Sequence, residues 1–489
     1  MTSLTALIPA ARILLLAGLS GPSFAAESPL SLHPDNPHYL LFRGKPEIVI
    51  TSGEHYGAVL NLDFDYQKYL QTLARDGMNG TRTFAGPYCE HPAAFGIARN
   101  SLAPLAGRFI CPWARSDKPG YANSGNKFDL TKWDEAYFKR LKDFIIEAGK
   151  NSIIVELNLF CPFYEEAMWK LSPMNAANNV NGIGTVARTN VYTLDKHGGL
   201  LPFQDALVRK IVLELNSFDN LYYEICNEPY FGGVTLEWQR HIADVIVDAQ
   251  KELPFKHLIS QNIANKTARV DKPHPAISIF NFHYATPPDA VAMNYALNKV
   301  IGDNETGFRG TNEAPYRMEA WDFIIAGGGL FNNLDYSFTA GHEDGTFVFP
   351  SSQPGCGSAV MRRQLKSLRD FVNRFDFLHM RPEKDLVQGD LPFKATARAL
   401  VKPEQDYIIY VRTPAEKEDG GRSRHQKFGN QQITLILTLP AGQFSAEWFD
   451  TSRGSVSSRE QFTHQGGPRK IAAPAFEDDI ALAVRRVDR

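Results

Sequence analysis

The stretch Leu221-Tyr-Tyr-Glu-Ile-Cys-Asn-Glu-Pro-Tyr230 joins an apolar run to an Asn-Glu-Pro sequence. The run Leu221–Cys226 predicts a buried strand. Pro229 ends the strand, because proline has no N–H for the next hydrogen bond of a sheet. Glu228 is therefore expected at the carboxyl end of the strand. In a parallel α/β barrel, side chains at that end carry the chemistry.

A second carboxylate ends another apolar run, in Lys299-Val-Ile-Gly-Asp-Asn-Glu-Thr-Gly307. Two carboxylates on different strands are the minimum equipment for cleaving a glycosidic bond. We assign Glu228 as the candidate general acid and base, and Glu305 as the candidate nucleophile. Asp303 is a rival for the second role, and a polar turn with a helix cap is the structural alternative for this segment.

Apolar strand-like runs alternate with amphipathic stretches between residues 47 and 377. The strand candidates are Glu47–Ser52, Gly80–Phe84, Ser152–Phe160, Leu221–Cys226, His257–Ser260, Ile277–His283, Lys299–Asp303 and Gly329–Phe338. The helix candidates include Phe64–Asp76, Trp133–Gly149, Phe203–Leu215, Trp238–Leu253, Ala290–Asn298, Tyr316–Ala326 and Val360–Phe375. Eight such repeats predict an α/β fold, a (β/α)8 TIM barrel. A doubly wound open sheet is the alternative, but no glycine-rich phosphate turn follows the first strand.

Three regions flank or precede this barrel. Residues 1–25 resemble a signal peptide, since Arg12 precedes an apolar run too short to span a bilayer and small residues lie near Ala25. We predict export to the periplasm or the medium, with a barrel domain over residues 26–380. Residues 31–45 predict a hairpin at the lower face of the barrel. Alternating runs over residues 381–489 predict a small all-β sandwich.

Bulk properties exclude some partners. The formal net charge is −2 and the isoelectric point about 6.7, so nothing indicates a nucleic-acid partner or membrane insertion. The five cysteines have no CxxC spacing, which gives no sign of structural zinc, and Cys89 and Cys111 could form a disulfide. The oligomeric state cannot be predicted from these features.

Two long connections, about residues 85–131 and 161–202, follow strands and are expected at the active face. Functional loops or disorder are the usual reasons for such length. The first carries Tyr88, Trp113 and Tyr121, and the second carries Phe163, Tyr164 and Trp169. These rings predict either aromatic walls of a substrate groove or ordinary core packing.

Several other polar residues are expected near the two glutamates. Arg82 lies inside an apolar strand, where an arginine is costly unless a carboxylate such as Glu305 pairs with it. A structural salt bridge elsewhere in the barrel is the alternative. The remaining candidates for contacts with substrate or nucleophile end predicted strands and are Glu54, His55, Tyr56, Asn227, His283 and Tyr284. Trp321 has helical spacing with Phe323 and Ile324, which favours core packing.

The chain resembles the retaining glycoside hydrolases of the (β/α)8 clan that includes the family 5 cellulases and mannanases. The resemblance rests on Asn227-Glu228 after strand four, Glu305 after strand seven, Arg82 on strand two, and a His283-Tyr284 pair after strand six. The usual His-x-Tyr spacing is absent, since His283 and Tyr284 are adjacent, and no tryptophan ends strand eight. The segment from Ala446 to Gly454 also resembles β-sandwich modules appended to some members.

These patterns predict a secreted glycosidase that acts on a poly- or oligosaccharide by a retaining double displacement. No cofactor and no metal are required by that mechanism. A noncatalytic carbohydrate-binding protein on the same scaffold is the main alternative, since fold does not fix function. A metal-dependent barrel hydrolase is a third interpretation, for which the sequence supplies few ligands.

Overall fold

The computed structural model of this protein describes residues 28–414, 416–419, 422–425 and 431–487. The side chains of Glu54 and of residues 416–425 are outside that description. The predicted signal peptide, residues 1–25, lies outside the described residues, so it stays a prediction. Two bodies of structure follow one another along the chain, a parallel barrel and an antiparallel sheet.

Eight parallel strands close into a barrel in which each strand pairs with its neighbours in chain order, and the eighth pairs with the first. Their bounds are β1 Val49–Glu54, β2 Gly80–Phe84, β3 Ile154–Phe160, β4 Leu221–Cys226, β5 Ile259–Asn265, β6 Ile277–His283, β7 Val300–Thr306 and β8 Leu330–Leu334. This confirms the TIM barrel and excludes the doubly wound sheet. The predicted strands all exist, although β5 and β7 extend further toward the active face than expected.

Helices surround the barrel in the predicted places. Their bounds are α1 Tyr66–Arg75, α2 Glu135–Lys150, α3 Leu201–Leu215, α4 Leu236–Gln250, α5 Asp289–Asn294, α6 Ala314–Ile325 and α7 Ala359–Val372. Local sequence fixes several helix starts: the Asp65 side chain accepts from two backbone N–H groups of α1, and Asp134 does the same for α2. The connection from β5 to β6 is a loop.

The long connection after β2 is partly regular. Trp113–Pro119 and Asn126–Trp133 form an antiparallel hairpin within the stretch that the sequence had suggested as a loop. The connection after β3 contains one helical turn, Glu166–Trp169. Both connections reach the cavity at the carboxyl ends of the strands, as predicted.

The lower face of the barrel is closed by a small three-stranded sheet, Ser31–Leu32, Leu40–Phe42 and Lys45–Glu47. Its apolar side chains form a cluster with the first residues of the barrel strands, and these are Leu30, Leu40, Phe42, Val49, Ile154, Tyr222, Ile279, Val300 and Leu330. The predicted hairpin at this face is therefore present, with a third strand added.

A six-stranded antiparallel sheet follows the barrel. Its strands are β9 Arg381–Pro382, β10 Thr396–Lys402, β11 Asp406–Arg412, β12 Thr434–Asp450, β13 Ser455–Ala472 and β14 Asp479–Arg486. The strand β12 is unusually long, with 17 residues that run through Gly442. Residues 444–449 of β12 pair with β14, and residues 434–439 continue beyond it beside β13. Both halves contribute to one apolar cluster, so the sheet folds around its own core.

The antiparallel sheet and the barrel share a core. Trp321 on α6 stacks on Tyr410 of β11 with 5.7 Å between ring centroids, and it also contacts Phe449. Arg317 of α6 pairs with Asp479 at 2.6 Å. All twelve residues of α6 are buried, because the barrel covers one side of this helix and the sheet covers the other.

All five cysteines are buried free thiols, so the suggested Cys89–Cys111 disulfide does not form. Burial raises the pKa of Cys89 to about 12, which keeps this thiol protonated. Among the described residues, no helix has the length and apolar character needed to cross a membrane.

Candidate active site

A cavity of about 520 Å³ opens at the carboxyl ends of the barrel strands. Its volume is in the range of small-molecule sites. Six of the predicted site residues line it, namely His55, Tyr56, Asn227, Glu228, Tyr284 and Glu305. Arg82 and His283 lie beneath them with no exposed surface. The eight residues named here therefore come together, although they are spread over 251 positions of the chain. Glu54 ends β1 next to Arg82 in register, and its side chain is outside the described part.

Three donors hold Glu305. Arg82 Nη1 lies 3.1 Å from Glu305 Oε2, and Tyr284 donates its hydroxyl to Oε1 at 2.7 Å. Tyr56 donates a short hydrogen bond to Oε2. Burial, followed by the Glu305 charge, raises the pKa of Tyr284 well above its ordinary value, so this phenol remains a donor. A carboxylate held by several donors is equipped for nucleophilic attack.

A register shift in β7 turns Glu305 toward the barrel axis. Phe282 pairs with Asp303, but the next residue, His283, pairs with Glu305. Asn304 is the extra residue of this bulge, and bulges commonly re-aim side chains next to active sites. Asn304 contacts acids inside the barrel and Glu305 reaches the cavity.

Asp303 lies on the other side of β7 and does not line the cavity. It accepts from the backbone N–H of Ala285, and burial with the neighbouring Glu319 raises its pKa well above the ordinary value. Asp303 is therefore not placed to attack a substrate in this cavity. The sequence favoured Glu305 over its rival Asp303, but the bulge that separates the directions of the two side chains leaves no local signature.

Glu228 is surrounded by hydroxyl donors. Tyr164 donates to Oε2 at 2.6 Å, and Tyr230 donates to Oε1 at 3.1 Å. Glu228 itself has a φ of +34°, a backbone conformation that side chains other than glycine seldom adopt. Pro229 directly after it ends the strand as expected, and this sharp turn aims Glu228 into the cavity. Strain of this kind is concentrated at functional sites.

His283 bridges the two glutamates. Its Nδ1 lies 3.3 Å from Glu228 Oε1 and 3.5 Å from Glu305 Oε2. Tyr284 also reaches the site although it is the adjacent residue, because its φ is +53° and the chain turns there. One oxygen of each glutamate and the histidine nitrogen lie within 4.8 Å of one another. The pair of carboxyl groups is thus close together and joined by one side chain.

Asn227 links the two halves of the site. Its Oδ1 accepts from Arg82 Nη2 at 2.8 Å, and its Nδ2 donates to the Tyr164 hydroxyl at 2.9 Å. The Asn227 amide therefore links Arg82, which contacts Glu305, to Tyr164, which contacts Glu228. Orientation of the two glutamates depends on one continuous hydrogen-bonded network.

A second pair of acids lies below, inside the barrel. Arg82 Nε is 3.2 Å from Glu156 Oε1, and Arg82 Nη2 makes a short contact with Glu224. Burial and Glu224 raise the pKa of Glu156 well above its ordinary value. Burial disfavours charge on Glu224 as well, but Arg82 holds its pKa below the ordinary value. Glu224 is thus the ionised member of the pair, and Glu156 carries a proton.

His55 was predicted to contact the substrate, but its ring lies mainly among aromatic side chains. Its ring packs on Phe64 with 4.1 Å between centroids, and it also contacts Tyr69 and Phe338. Only 6% of His55 is exposed. It forms part of the cavity wall, mainly through the edge that remains uncovered.

Aromatic side chains surround the mouth of the cavity, but they are not the ones expected. Buried rings of the core include Tyr88, Trp113, Tyr121, Phe163 and Trp169. Phe95 and Phe308 are each 44% exposed and line the cavity together with Tyr164. Phe95 contacts Tyr164 at 5.2 Å and Phe308 at 6.4 Å between centroids. Of the predicted aromatic walls, only Tyr164 is confirmed as a lining residue.

Glu228, His283 and Glu305 are the one group of side chains, among the described residues, with the spacing of a metal site. The Arg82 guanidinium already lies 3.1 Å from Glu305, and a positive charge there competes with a cation. The donors from Tyr164 and Tyr284 further occupy the carboxylate oxygens. These contacts fit an acid–base pair better than a metal centre.

Comparison with solved structures supports the fold. A protein described as a glycoside hydrolase aligns over 95% of this chain and 98% of its own, with a TM-score of 0.62 at 14% identity. A glycoside hydrolase family 5 protein from Bacteroides vulgatus ATCC 8482 aligns over 94% of both chains, with a TM-score of 0.60 at 13% identity. This chain has their fold. The alignments include the antiparallel sheet as well as the barrel. A scan of protein-family models and a search of curated proteins each find no match.

Several residues of the site were not among the predicted set. They are Glu90, Phe95, Glu156, Glu224, Tyr230, Asn281, Asn304 and Phe308. Acids inside apolar strands were a usable signal for Glu156 and Glu224, on the same reasoning that identified Arg82. Nothing local marks Glu90 or the two phenylalanines, because their positions depend on the paths of long loops.

Proposed function

We propose that this protein is a glycoside hydrolase that cleaves O-glycosidic bonds of a poly- or oligosaccharide with retention of configuration. The observation that carries the proposal is the short separation of Glu228 and Glu305, whose nearest oxygens lie within 4.8 Å. Retaining enzymes keep their two carboxyl groups about 5–5.5 Å apart, whereas inverting enzymes need roughly 6.5–9.5 Å to admit a water molecule. The shared fold with solved glycoside hydrolases supports the same class of reaction.

In the first step, a Glu305 oxygen attacks the anomeric carbon and forms a glycosyl ester. The bond from that carbon to the leaving oxygen breaks, and Glu228 donates its proton to this oxygen. The contacts support these roles: Arg82 pairs with Glu305, whereas the hydroxyls of Tyr164 and Tyr230 donate to Glu228.

In the second step, water attacks the same carbon and Glu228 accepts the proton of that water. The ester bond breaks and releases Glu305 together with the sugar. Tyr284 and Tyr56 donate to Glu305 throughout and can follow the change of charge on its oxygens. His283 lies between the two acids and fixes their separation.

Export belongs to the same proposal. The apolar run of residues 13–19 and the small residues near Ala25 support it, as does the expectation that a polysaccharide is met outside the cell.

A noncatalytic carbohydrate-binding protein is the second candidate. The exposed phenylalanines around the cavity would serve binding alone. Two carboxylates, four tyrosine donors and an arginine arranged around one point exceed what binding requires. The catalytic proposal explains this network, and binding alone does not.

The first test is hydrolysis of a panel of plant, algal and microbial glycans and aryl glycosides by the wild type and by Glu305→Ala. Azide is added to the variant, since a small anion can occupy the vacated space and attack the sugar. We expect activity that is lost by about 10⁵-fold in the variant and partly restored as a glycosyl azide of inverted configuration. Glu252→Ala, at an exposed glutamate outside the cavity, is the matched control and should keep full activity.

Each departure from this outcome has a defined meaning. Activity that persists at the wild-type level in Glu305→Ala would show that Glu305 is not the nucleophile. Activity that is lost on treatment with a chelator and recovered with a divalent cation would favour a metal centre at Glu228, His283 and Glu305. Saturable glycan binding without turnover of any substrate would establish the noncatalytic alternative.

A further inference from the structure

Two carboxyl groups besides those of Glu228 and Glu305 line the cavity, and the two catalytic steps use neither. Asp335 is paired with Arg362 at 2.7 Å, and the other group is that of Glu90. Glu90 lies in the connection after β2, where its backbone N–H donates to the Leu102 carbonyl at 2.8 Å. The side chain lines the same cavity as Glu228 and Glu305, and only 7% of the residue is exposed.

Two neutral donors hold the Glu90 carboxyl. The Tyr88 hydroxyl donates to Oε1 at 2.9 Å, and the Asn100 side-chain amide donates to Oε2. Within the described part of the chain, no lysine or arginine forms an ion pair with Glu90. Each carboxylate oxygen can accept two hydrogen bonds, so each retains acceptor capacity after these contacts. Burial of a carboxylate that no cation pairs with disfavours folding, so a role in binding would explain why this residue is present.

The surroundings of Glu90 act on its ionisation. Burial raises its pKa to about 7, and the nearby Glu305 charge adds to this, while the hydrogen bonds from Asn100 and Tyr88 and the charge of His91 oppose it. Cys89 and Cys161 also lie close enough to interact with it. The group is thus poised between its acid and carboxylate forms in neutral solution.

We propose that Glu90 determines substrate specificity, by accepting hydrogen bonds from hydroxyl groups of the sugar held in the cavity and by disfavouring sugars that carry a carboxylate. This inference rests on the proposed glycosidase function and names the substrate class of that site. Glu90, Glu228, Glu305 and Asp335 place four acids around one cavity, with Asp335 paired to Arg362, and a uronate there would meet like charges. Three cations also line the cavity. Arg99 and Lys266 are exposed, and Arg309 forms an ion pair with Glu319 at 2.6 Å.

The structural alternative is that Glu90 only holds its loop in place through Asn100. Both roles predict that substitution lowers thermal stability. The two roles differ in their effects on selectivity among sugars and on proton release during binding, because a residue that only holds its loop in place should affect neither. These two quantities therefore test the proposal.

The kinetic test uses 4-nitrophenyl β-glycosides of glucose, mannose, galactose, xylose and glucuronic acid with wild type and Glu90→Gln. For neutral glycosides we expect KM to rise about tenfold with kcat within about threefold of wild type. The glucuronide should gain about tenfold relative to the neutral substrates, because one like charge is removed. Glu252→Gln, at an exposed glutamate outside the cavity, should change neither quantity.

The binding test is calorimetry of the same glycosides with Glu305→Ala at pH 7, in buffers of different ionisation enthalpy. Hydroxyl donors favour the carboxylate form, so sugar binding should lower the pKa of Glu90 and release a fraction of a proton. This fraction should be below about half, because removal of the Glu305 charge already lowers the pKa of Glu90. The release should vanish in Glu305→Ala combined with Glu90→Gln.

Unchanged KM, selectivity and proton release in the Glu90→Gln proteins would overturn the proposal, even if stability falls. This outcome is separable from failure of the glycosidase assignment. If the wild type turns over no glycoside, binding and proton release in the Glu305→Ala background still decide the role of Glu90.

Discussion

Two pairs of glutamates lie at different depths in one barrel, and Arg82 contacts both. Glu228 and Glu305 line the cavity, and hydroxyl groups surround them. Glu156 and Glu224 lie fully inside the barrel, next to the Asn281 and Asn304 amides. In the proposed mechanism, each acid of the outer pair exchanges a proton or a bond with the substrate. The inner pair has one proton held on Glu156, and its role is to give Arg82 a fixed partner.

Removal of Arg82 tests the link between the pairs and should have the largest effect. In Arg82→Met, Glu224 loses its buried counter-charge and Glu305 loses a donor. We expect a loss of about 3–5 kcal/mol in unfolding free energy and at least about 10³-fold in kcat/KM. Urea denaturation and steady-state kinetics measure the two. Near-normal stability would show that the inner pair does not depend on Arg82.

The two members of the inner pair should respond differently to the same substitution. Glu156→Gln keeps the shape and neutral state of the protonated acid, so the expected loss of unfolding free energy is below about 1 kcal/mol. Glu224→Gln removes the charge opposite Arg82 and should cost about 2–3 kcal/mol. Equal losses in the two variants would contradict the assignment of the proton to Glu156.

Each pair of glutamates contains one acid that accepts a hydrogen bond from a tyrosine, and removal of each tyrosine hydroxyl compares the two pairs. Tyr284 donates to Glu305, whereas Tyr222 donates to Glu156 at 2.7 Å. Tyr284→Phe should lower kcat by about 10²-fold while stability changes little. Tyr222→Phe should reduce unfolding free energy by about 1 kcal/mol and leave kcat within about threefold. A kinetic defect in Tyr222→Phe as large as that in Tyr284→Phe would erase the distinction between the pairs.

The pH dependence of stability gives the smallest effect. Burial and Glu224 raise the pKa of Glu156 in the folded state, so its contribution to stability is present at acid pH and is lost as pH rises above the ordinary carboxyl range. Glu156→Gln does not titrate. The melting temperature of this variant minus that of the wild type should therefore increase from pH 5 to pH 9. A difference that is constant with pH would place the proton elsewhere.

Most of the fold could be predicted because each strand and helix carries its own periodicity. The strands at Gly80, Leu221 and Ile277 begin and end where the apolar runs do. The boundaries failed where polar residues belong to a strand, as in β5, whose Gln261 and Asn262 are buried inside the barrel wall. Hydrophobic pattern alone treats such residues as the end of a strand.

The site could be predicted where it lies on strand ends and not where it lies on loops. Glu228, Glu305 and Arg82 follow from strand position, because the barrel brings those ends together. Glu90 and Phe95 are placed by the long connection between β2, which ends at Phe84, and α2, which begins at Glu135; contacts such as that of Tyr88 with Met168 set its path. Contacts of this kind join distant parts of the chain, and a single sequence holds no sign of them.

The burial of α6 between the barrel and the antiparallel sheet has a consequence for protein engineering. Asp322 of this helix accepts from Arg398 at 3.1 Å and from Arg412 at 2.8 Å, both on the sheet. Cutting the chain near residue 380 would expose Trp321 to solvent and would leave Asp322 without either of its arginine partners. The sheet is therefore difficult to transfer to another barrel as an independent domain. A chimera would need the outer surface of the helix that corresponds to α6 to be redesigned along its full length.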